Sequence, residues 1–154
     1  MKTKSPSTTR IVIAGAAGRM GQAIVRSIRA VPGAELAGAV EMSVHKDLGK
    51  DIGVLAGVDK TGIILSDDLK TALSGADVLI DFTFHTAVPL NAGLAAQLGR
   101  AMVIGTTGLD AAESDAVKKA AEKIPIVWAP NMSVGVNLLF AMVKKAAAAL
   151  ATGY

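Results

Sequence analysis

The chain of 154 residues contains no cysteine, which excludes disulfides, thiol catalysis and cysteine-based metal sites. Aromatic residues are scarce as well, at 3% against 51% hydrophobic residues overall, so a core must be assembled from Ala, Val, Ile and Leu in close layers. That composition suits helices packed tightly on a parallel sheet. No stretch reaches the ~20 uninterrupted apolar residues needed to cross a bilayer. The polar start carries Lys2, Lys4 and Pro6, but the apolar run after it is short and broken by glycines, so no secretory signal is read and a cytoplasmic location is expected. Charge of either sign is also modest: 16 basic and 13 acidic residues leave a net +3, with no basic cluster interleaved with aromatics. Nucleic acid and membrane are therefore not expected as partners, and the small excess favours anionic small molecules.

What is present is a glycine-marked turn near the start. Residues 10–21 read Arg-Ile-Val-Ile-Ala-Gly-Ala-Ala-Gly-Arg-Met-Gly. A β-branched run at 11–13 predicts a buried parallel strand that feeds into Gly15, Gly18 and Gly21 and then an amphipathic helix over about 20–30. Gly15 suits a tight turn, Gly18 leaves the main chain open to a pyrophosphate, and Gly21 lets the helix sit close. The helix N-terminus adds unpaired N–H groups and partial positive charge. A second strand over 35–40 ends on Glu41, twenty residues past Gly21, where an acid is expected to hold the ribose hydroxyls of a dinucleotide. The competing reading is a helix-packing glycine cluster beside a solvent glutamate.

The rest of the chain continues the alternation of strand and helix. The segment 42–51 reads as a loop, and 63–65 as a short strand. Ser66 is the expected N-cap of a helix over 67–74, with Asp67 and Asp68 in its first turn. A strand at 78–81 ends in Asp81-Phe82-Thr83, Thr86 is the expected cap of a helix to Leu98, and Gly99 closes it. A strand at 102–104 ends in Gly105-Thr106-Thr107-Gly108, a helix covers 110–122, and a strand at 126–128 ends in Ala129-Pro130-Asn131-Met132-Ser133. A long helix over 134–150 follows. The predicted fold is a Rossmann-type, doubly wound α/β sheet in the order 3-2-1-4-5-6, with a crevice between the strands at 11 and 78. Turn chemistry alone would also explain Gly105, Gly108 and Pro130.

These motifs together resemble the dihydrodipicolinate reductases, also called 4-hydroxy-tetrahydrodipicolinate reductases, of lysine and diaminopimelate biosynthesis. The resemblance rests on the glycine turn, Asp-Phe-Thr at 81–83, Val-Ile-Gly-Thr-Thr-Gly at 103–108 and Ala-Pro-Asn-Met-Ser-Val-Gly-Val-Asn at 129–137. It implies NADH or NADPH as cofactor and reduction of a small cyclic dicarboxylate. It implies that Gly15, Ala16, Ala17, Gly18, Arg19 and Met20 hold the pyrophosphate and Glu41 the adenine ribose. Gly105, Thr106, Thr107, Ala129, Pro130, Asn131 and Met132 would contact the nicotinamide side, Thr107 also lying near the substrate carboxylate. Members preferring the 2′-phosphorylated cofactor often carry an arginine after the ribose acid. Met42 stands there, which tilts the expectation to NADH, although Arg19 and Lys46 are near enough in sequence to compensate.

The family's His, His and Lys motif and Gly-Thr pair, which follow the tyrosine matching Tyr154, have no counterpart here, so no catalytic residue is assigned. His45 and His85 fall in loops and do not match those positions. Asp81 is expected to organise loop N–H groups and not to act as a base. The expected organisation is a flexible tail over 1–9, a dinucleotide-binding domain over 10–133, and a helix over 134–154 leading to a substrate domain outside this chain. Intact members are expected to be homo-oligomers. Leu138, Leu139, Met142, Val143 and Ala146 form an apolar stripe that is an exposed patch, inviting self-association, unless it meets the sheet. The alternative is a nucleotide-sensing regulatory module that docks a partner through the 134–150 helix, and the blandest is a folded fragment with no useful affinity.

Overall fold

The structure, a computed structural model, describes residues 8–151. The expected tail therefore lies outside the described residues except at its end, where Thr9 already belongs to a strand, and Tyr154 also lies outside them. Strands β1 (Thr9–Ala14), β2 (Ala34–Val40), β3 (Leu65–Ser66), β4 (Val78–Asp81), β5 (Ala101–Ile104) and β6 (Ile126–Trp128) form one sheet in the order β3-β2-β1-β4-β5-β6. Every neighbouring pair is parallel, as the doubly wound reading expected. The helices are α1 (Arg19–Ile28), α2 (Ile52–Leu55), α3 (Leu69–Ser74), α4 (Val88–Leu98), α5 (Ala111–Ala121) and α6 (Val134–Leu150).

The period of two along β1 divides the core between the two faces of the sheet. Val12 and Ala14 join Leu73, Leu79, Val88, Met102 and Val117 on one face, under α3, α4 and α5. Ile13 joins Val25, Ile28, Ile52 and Leu65 on the other, under α1 and α2. With so few aromatics, close approach replaces bulk. A Cβ on Gly21 would lie 2.2 Å from the Gly15 carbonyl oxygen, so α1 rests directly on the turn after β1.

Helix ends follow local chemistry more closely than the expected boundaries did. Asp68, not Ser66, caps α3, accepting from the Thr71 N–H at 2.9 Å, so Asp67 lies before the helix and not in its first turn. Thr86 caps nothing: a single 3-10 turn (His85–Ala87) leads into α4, whose cap position, Ala87, has no side-chain acceptor. Gly99 does close α4, in the left-handed conformation at φ 66°. Asp110 and Glu113 form a reciprocal capping box at the start of α5. The short helix α2 was not anticipated. Its cap, Asp51, gathers N–H groups from Gly53, Val54, Thr61 and Gly62 around one carboxylate and so folds the loop 51–62 upon itself.

The final helix does not meet the sheet. Leu138, Leu139, Met142 and Val143 are 60%, 55%, 60% and 57% exposed, and α6 buries no residue. Among the described residues no helix is long and apolar enough to cross a membrane.

Two measurements follow from this packing. Gly21→Ala should destabilise the fold by about 2 kcal/mol or more, because the new methyl group meets backbone. Gly93→Ala, inside α4 with open space around it, should stabilise by about 0.5–1 kcal/mol through helix propensity. Chemical denaturation of both variants checks the pair of opposite signs. For Asp51, burial opposes ionisation, but the N–H groups of Thr61, Gly62, Val54 and Gly53 together hold its carboxyl below the ordinary value of 3.8. A depressed folded-state value stabilises above the unfolded value and is lost as pH falls through the folded one. The melting-temperature gap between the native chain and Asp51→Asn should therefore be widest at neutral pH and close below 3.8.

Candidate functional site

The carboxyl ends of β1, β4, β5 and β6 lie side by side, and the loops leaving them carry every motif of the sequence. The turn after β1 is set by Gly15 at φ 75°. Its N–H and that of Ala16 both donate to the Val40 carbonyl, at 2.9 and 3.2 Å, which ties the turn to the end of β2. Gly18 is the N-cap of α1 and offers no side-chain acceptor. The first N–H groups of α1 thus have no cap of their own, and a Cβ on Gly18 would meet only the Gly15 oxygen, at 3.2 Å. The glycine half of the competing reading holds for Gly21, which is a packing glycine, whereas Gly18 is exposed at the start of the helix.

Glu41 is not a free solvent acid. Its carboxylate accepts from the Ala17 N–H at 3.2 Å and from the Met42 N–H at 3.3 Å, so the acid at the end of β2 leans on the glycine turn.

The loop after β4 is held by a buried carboxylate. Asp81 is 0% exposed. One of its oxygens accepts from the Thr83 N–H (3.0 Å), the Thr83 hydroxyl (2.7 Å) and the Thr106 hydroxyl (2.8 Å), and the other from the Asn91 amide (2.7 Å). Burying a charge is costly unless hydrogen bonds replace its water, and four donors do so here. They bind the β4 loop to the β5 loop and to α4. Asp81 is thus the organiser of loop N–H groups that the sequence suggested; Asn91, in α4, was not foreseen, since nothing in its spacing marks it.

Phe82 is the shared wall. Its carbonyl oxygen lies 2.3 Å from where a Gly15 Cβ would be, and its ring 2.1 Å from where a Gly105 Cβ would be. Gly105 is therefore required by the ring and not by turn geometry, while Gly108, at φ 84°, is the turn glycine.

Two clefts open on either side of this ring. The first, about 460 Å³, brings Gly15, Gly18 and Glu41 together with Met42, Asp67, Leu69 and Phe84. The second, about 480 Å³, brings Met20 and Gly105 together with Ala129, Pro130, Asn131 and Met132. Ala16 is fully buried, and the Thr106 hydroxyl is committed to Asp81, so these two shape the site from behind. Ala17 presents its N–H to Glu41. Arg19 and Thr107 are exposed and line neither cleft. The last loop is pinned by Asn131, whose side chain accepts from the Ser133 N–H at 2.8 Å and whose carbonyl accepts from the Asn137 amide at 2.9 Å.

His85 is satisfied locally. Its Nδ1 lies 2.9 Å from both carboxylate oxygens of Glu113, and its ring packs against Phe84 with centroids 4.3 Å apart. His45 likewise accepts from the Asp47 N–H through Nδ1, at 3.2 Å. Among the described residues no group of three or more acids or histidines could hold a metal ion. The arrangement sets an uncapped helix start, which suits an anion, beside the Glu41 carboxylate, with a cleft on either side of Phe82.

Comparison with known proteins places the chain. The family model described as "Dihydrodipicolinate reductase, N-terminus" matches residues 9–132. A 4-hydroxy-tetrahydrodipicolinate reductase of Anaeromyxobacter dehalogenans strain 2CP-1 is 50% identical over 146 residues, which is 95% of this chain and 54% of that protein. A second of the same name, from Desulfotalea psychrophila, is 46% identical over the same shares. The solved structure of a dipicolinate-bound dihydrodipicolinate reductase from Paenisporosarcina sp. TG-14 superposes with a TM-score of 0.73 at 27% identity, covering 92% of this chain and 54% of that one. The chain spans about half the length of the curated relatives it matches. With the glycine turn, the Asp81 network and the first cleft all inside the matched region, the chain belongs to the dihydrodipicolinate reductase family and corresponds to its N-terminal part.

Proposed function

We propose that this chain binds NADH or NADPH across the crevice between β1 and β4, and that it supplies the cofactor-binding part of a 4-hydroxy-tetrahydrodipicolinate reductase. The observation that carries the reading is the pair of clefts meeting at Phe82, one beside Glu41 and the uncapped start of α1, the other beside Gly105 and residues 129–132. They lie where the strand order reverses, the usual place for a ligand in an open parallel sheet.

The residues fit such a cofactor. The pyrophosphate would lie against Gly15 and Gly18 and the uncapped start of α1 at Arg19 and Met20, with Ala16 and Ala17 holding the turn from behind, their N–H groups given to Val40 and Glu41. Glu41 receives the ribose hydroxyls, exchanging or sharing its bond to the Ala17 N–H. Met42, Leu69 and Phe84 give the first cleft an apolar wall for adenine. Gly105, Thr106 and the run Ala129, Pro130, Asn131 and Met132 form the nicotinamide side, with Thr106 acting through Asp81 and Thr107 exposed beside it for a substrate carboxylate. When bound, the nicotinamide supplies a hydride; the chain's part is to fix the ring in the second cleft and to keep the loops that surround it rigid. The substrate, 4-hydroxy-tetrahydrodipicolinate, comes from the relatives' names, and its reduction to tetrahydrodipicolinate, as a cyclic dicarboxylate, is what the family resemblance implies. Residues 134–150 would carry the chain on towards a substrate domain. The exposed apolar surface of α6 also favours the second reading, a nucleotide-responsive module that docks a partner through that helix.

Calorimetric titration tests the binding. The chain should bind NADH saturably in the micromolar range. Glu41→Ala should weaken it about tenfold, the effect of losing hydrogen bonds to a charged acceptor. A folded chain that gives no heat with either cofactor would overturn the reading.

A further inference from the structure

The sequence offers one acid for the adenosine side, Glu41, but the fold brings a second beside it. Val40 and Ser66 are register partners on β2 and β3, and the Glu41 N–H donates to the Ser66 carbonyl at 2.9 Å. The first residue beyond each strand end is therefore Glu41 on one and Asp67 on the other, so the two acids leave neighbouring strands side by side. Both line the same cleft of about 460 Å³.

Asp67 has no structural task that explains it. Its neighbour Asp68 caps α3, taking both the N–H and the hydroxyl of Thr71. Asp67 is exposed, and among the described residues it makes no ion pair. The cleft wall holds these two carboxylates and no Lys, Arg or His. Arg19 and Lys46, which the sequence placed near enough to offset an acid, are exposed and line neither cleft.

We propose that Asp67 is a second specificity-determining residue of the cofactor site, and that the Glu41–Asp67 pair makes the chain selective for NADH over NADPH. The inference rests on the cofactor reading given above. The adenosine ribose of NADH presents a neutral 2′-hydroxyl, which a carboxylate can accept a hydrogen bond from. NADPH presents there a phosphate of nearly two negative charges, facing two carboxylates with no cation between them. Repulsion of that kind is long-ranged, so Asp67 needs no direct contact to act, and it is weakened by salt.

The test is the ratio of NADH to NADPH affinities, by calorimetry at low salt, for the native chain, Asp67→Asn and Asp68→Asn. The native chain should favour NADH by tenfold or more. Asp67→Asn should lower the ratio about tenfold, and added salt should compress the native ratio. Asp68→Asn removes the same charge just outside the cleft lining and should lower thermal stability while lowering the ratio by much less than Asp67→Asn does. A purely structural role for Asp67 would move the melting temperature and not the ratio. If both cofactors bind and the Asp67→Asn ratio equals the native one, or if the native chain favours NADPH, the proposal fails while the site stands. If the folded native chain binds neither, the site itself is wrong and the proposal falls with it.

Discussion

Phe82 is wedged between two glycines, and the functional end of the molecule depends on that fit. Its carbonyl occupies the space a Gly15 side chain would need, and its ring the space a Gly105 side chain would need. The loops leaving β1, β4 and β5 are thereby locked to one another across three adjacent strands. Asp81, one residue earlier, fixes the same arrangement from inside through Thr83, Thr106 and Asn91. A steric constraint and a polar one therefore both act on the β4 and β5 loops, and the steric one also reaches the β1 loop. A methyl group at either glycine would meet Phe82, and the β4 and β5 loops cannot part without breaking a buried carboxylate's hydrogen bonds.

That rigidity has an electrostatic purpose on the surface it creates. The turn from Gly15 to Gly18 delivers the start of α1 without a capping side chain, which leaves partial positive charge directed outward. Beside it stand Glu41 and Asp67, uncompensated by any basic residue of the cleft. An anion is thus welcome at the helix start and unwelcome at the strand ends of β2 and β3. A dinucleotide whose charge is confined to its pyrophosphate suits that distribution, and a further phosphate on the adenosine ribose opposes it.

Much of this was legible in the sequence, and the parts that were not share a cause. The strand order, the left-handed Gly15 and Gly99, and the positions of Glu41 and Asp81 at strand ends follow from pattern rules: period, positive φ, and an acid at a strand end. Misreadings arose where two neighbouring residues compete for one job. Ser66 and Asp68 could each cap α3, and Asp68 wins because Ser66 is taken into β3. Thr86 loses its expected cap role because the chain makes a 3-10 turn first. Turn chemistry would also have explained Gly105, and only tertiary packing shows that the Phe82 ring takes the space of a side chain there. The placement of Asp67 beside Glu41 depends on the register of two strands far apart in sequence, which no local pattern encodes. For the same reason Asn91 and Glu113, partners of Asp81 and His85, carried no signal. The final helix behaves as its apolar composition implied when no surface covers it: Leu138, Leu139, Phe140, Met142 and Val143 stay more than half exposed.

The central claim is that one extended ligand engages both clefts at once, on either side of Phe82. Backbone amide chemical shifts, followed in an isotope-labelled sample as NADH is added, test it most directly. The account predicts that Gly15, Gly18 and Glu41 in the first cleft shift along one saturation curve with Gly105, Asn131 and Met132 in the second, while α6 stays still. Shifts confined to one cleft, separate curves for the two, or a response centred on α6 would contradict it.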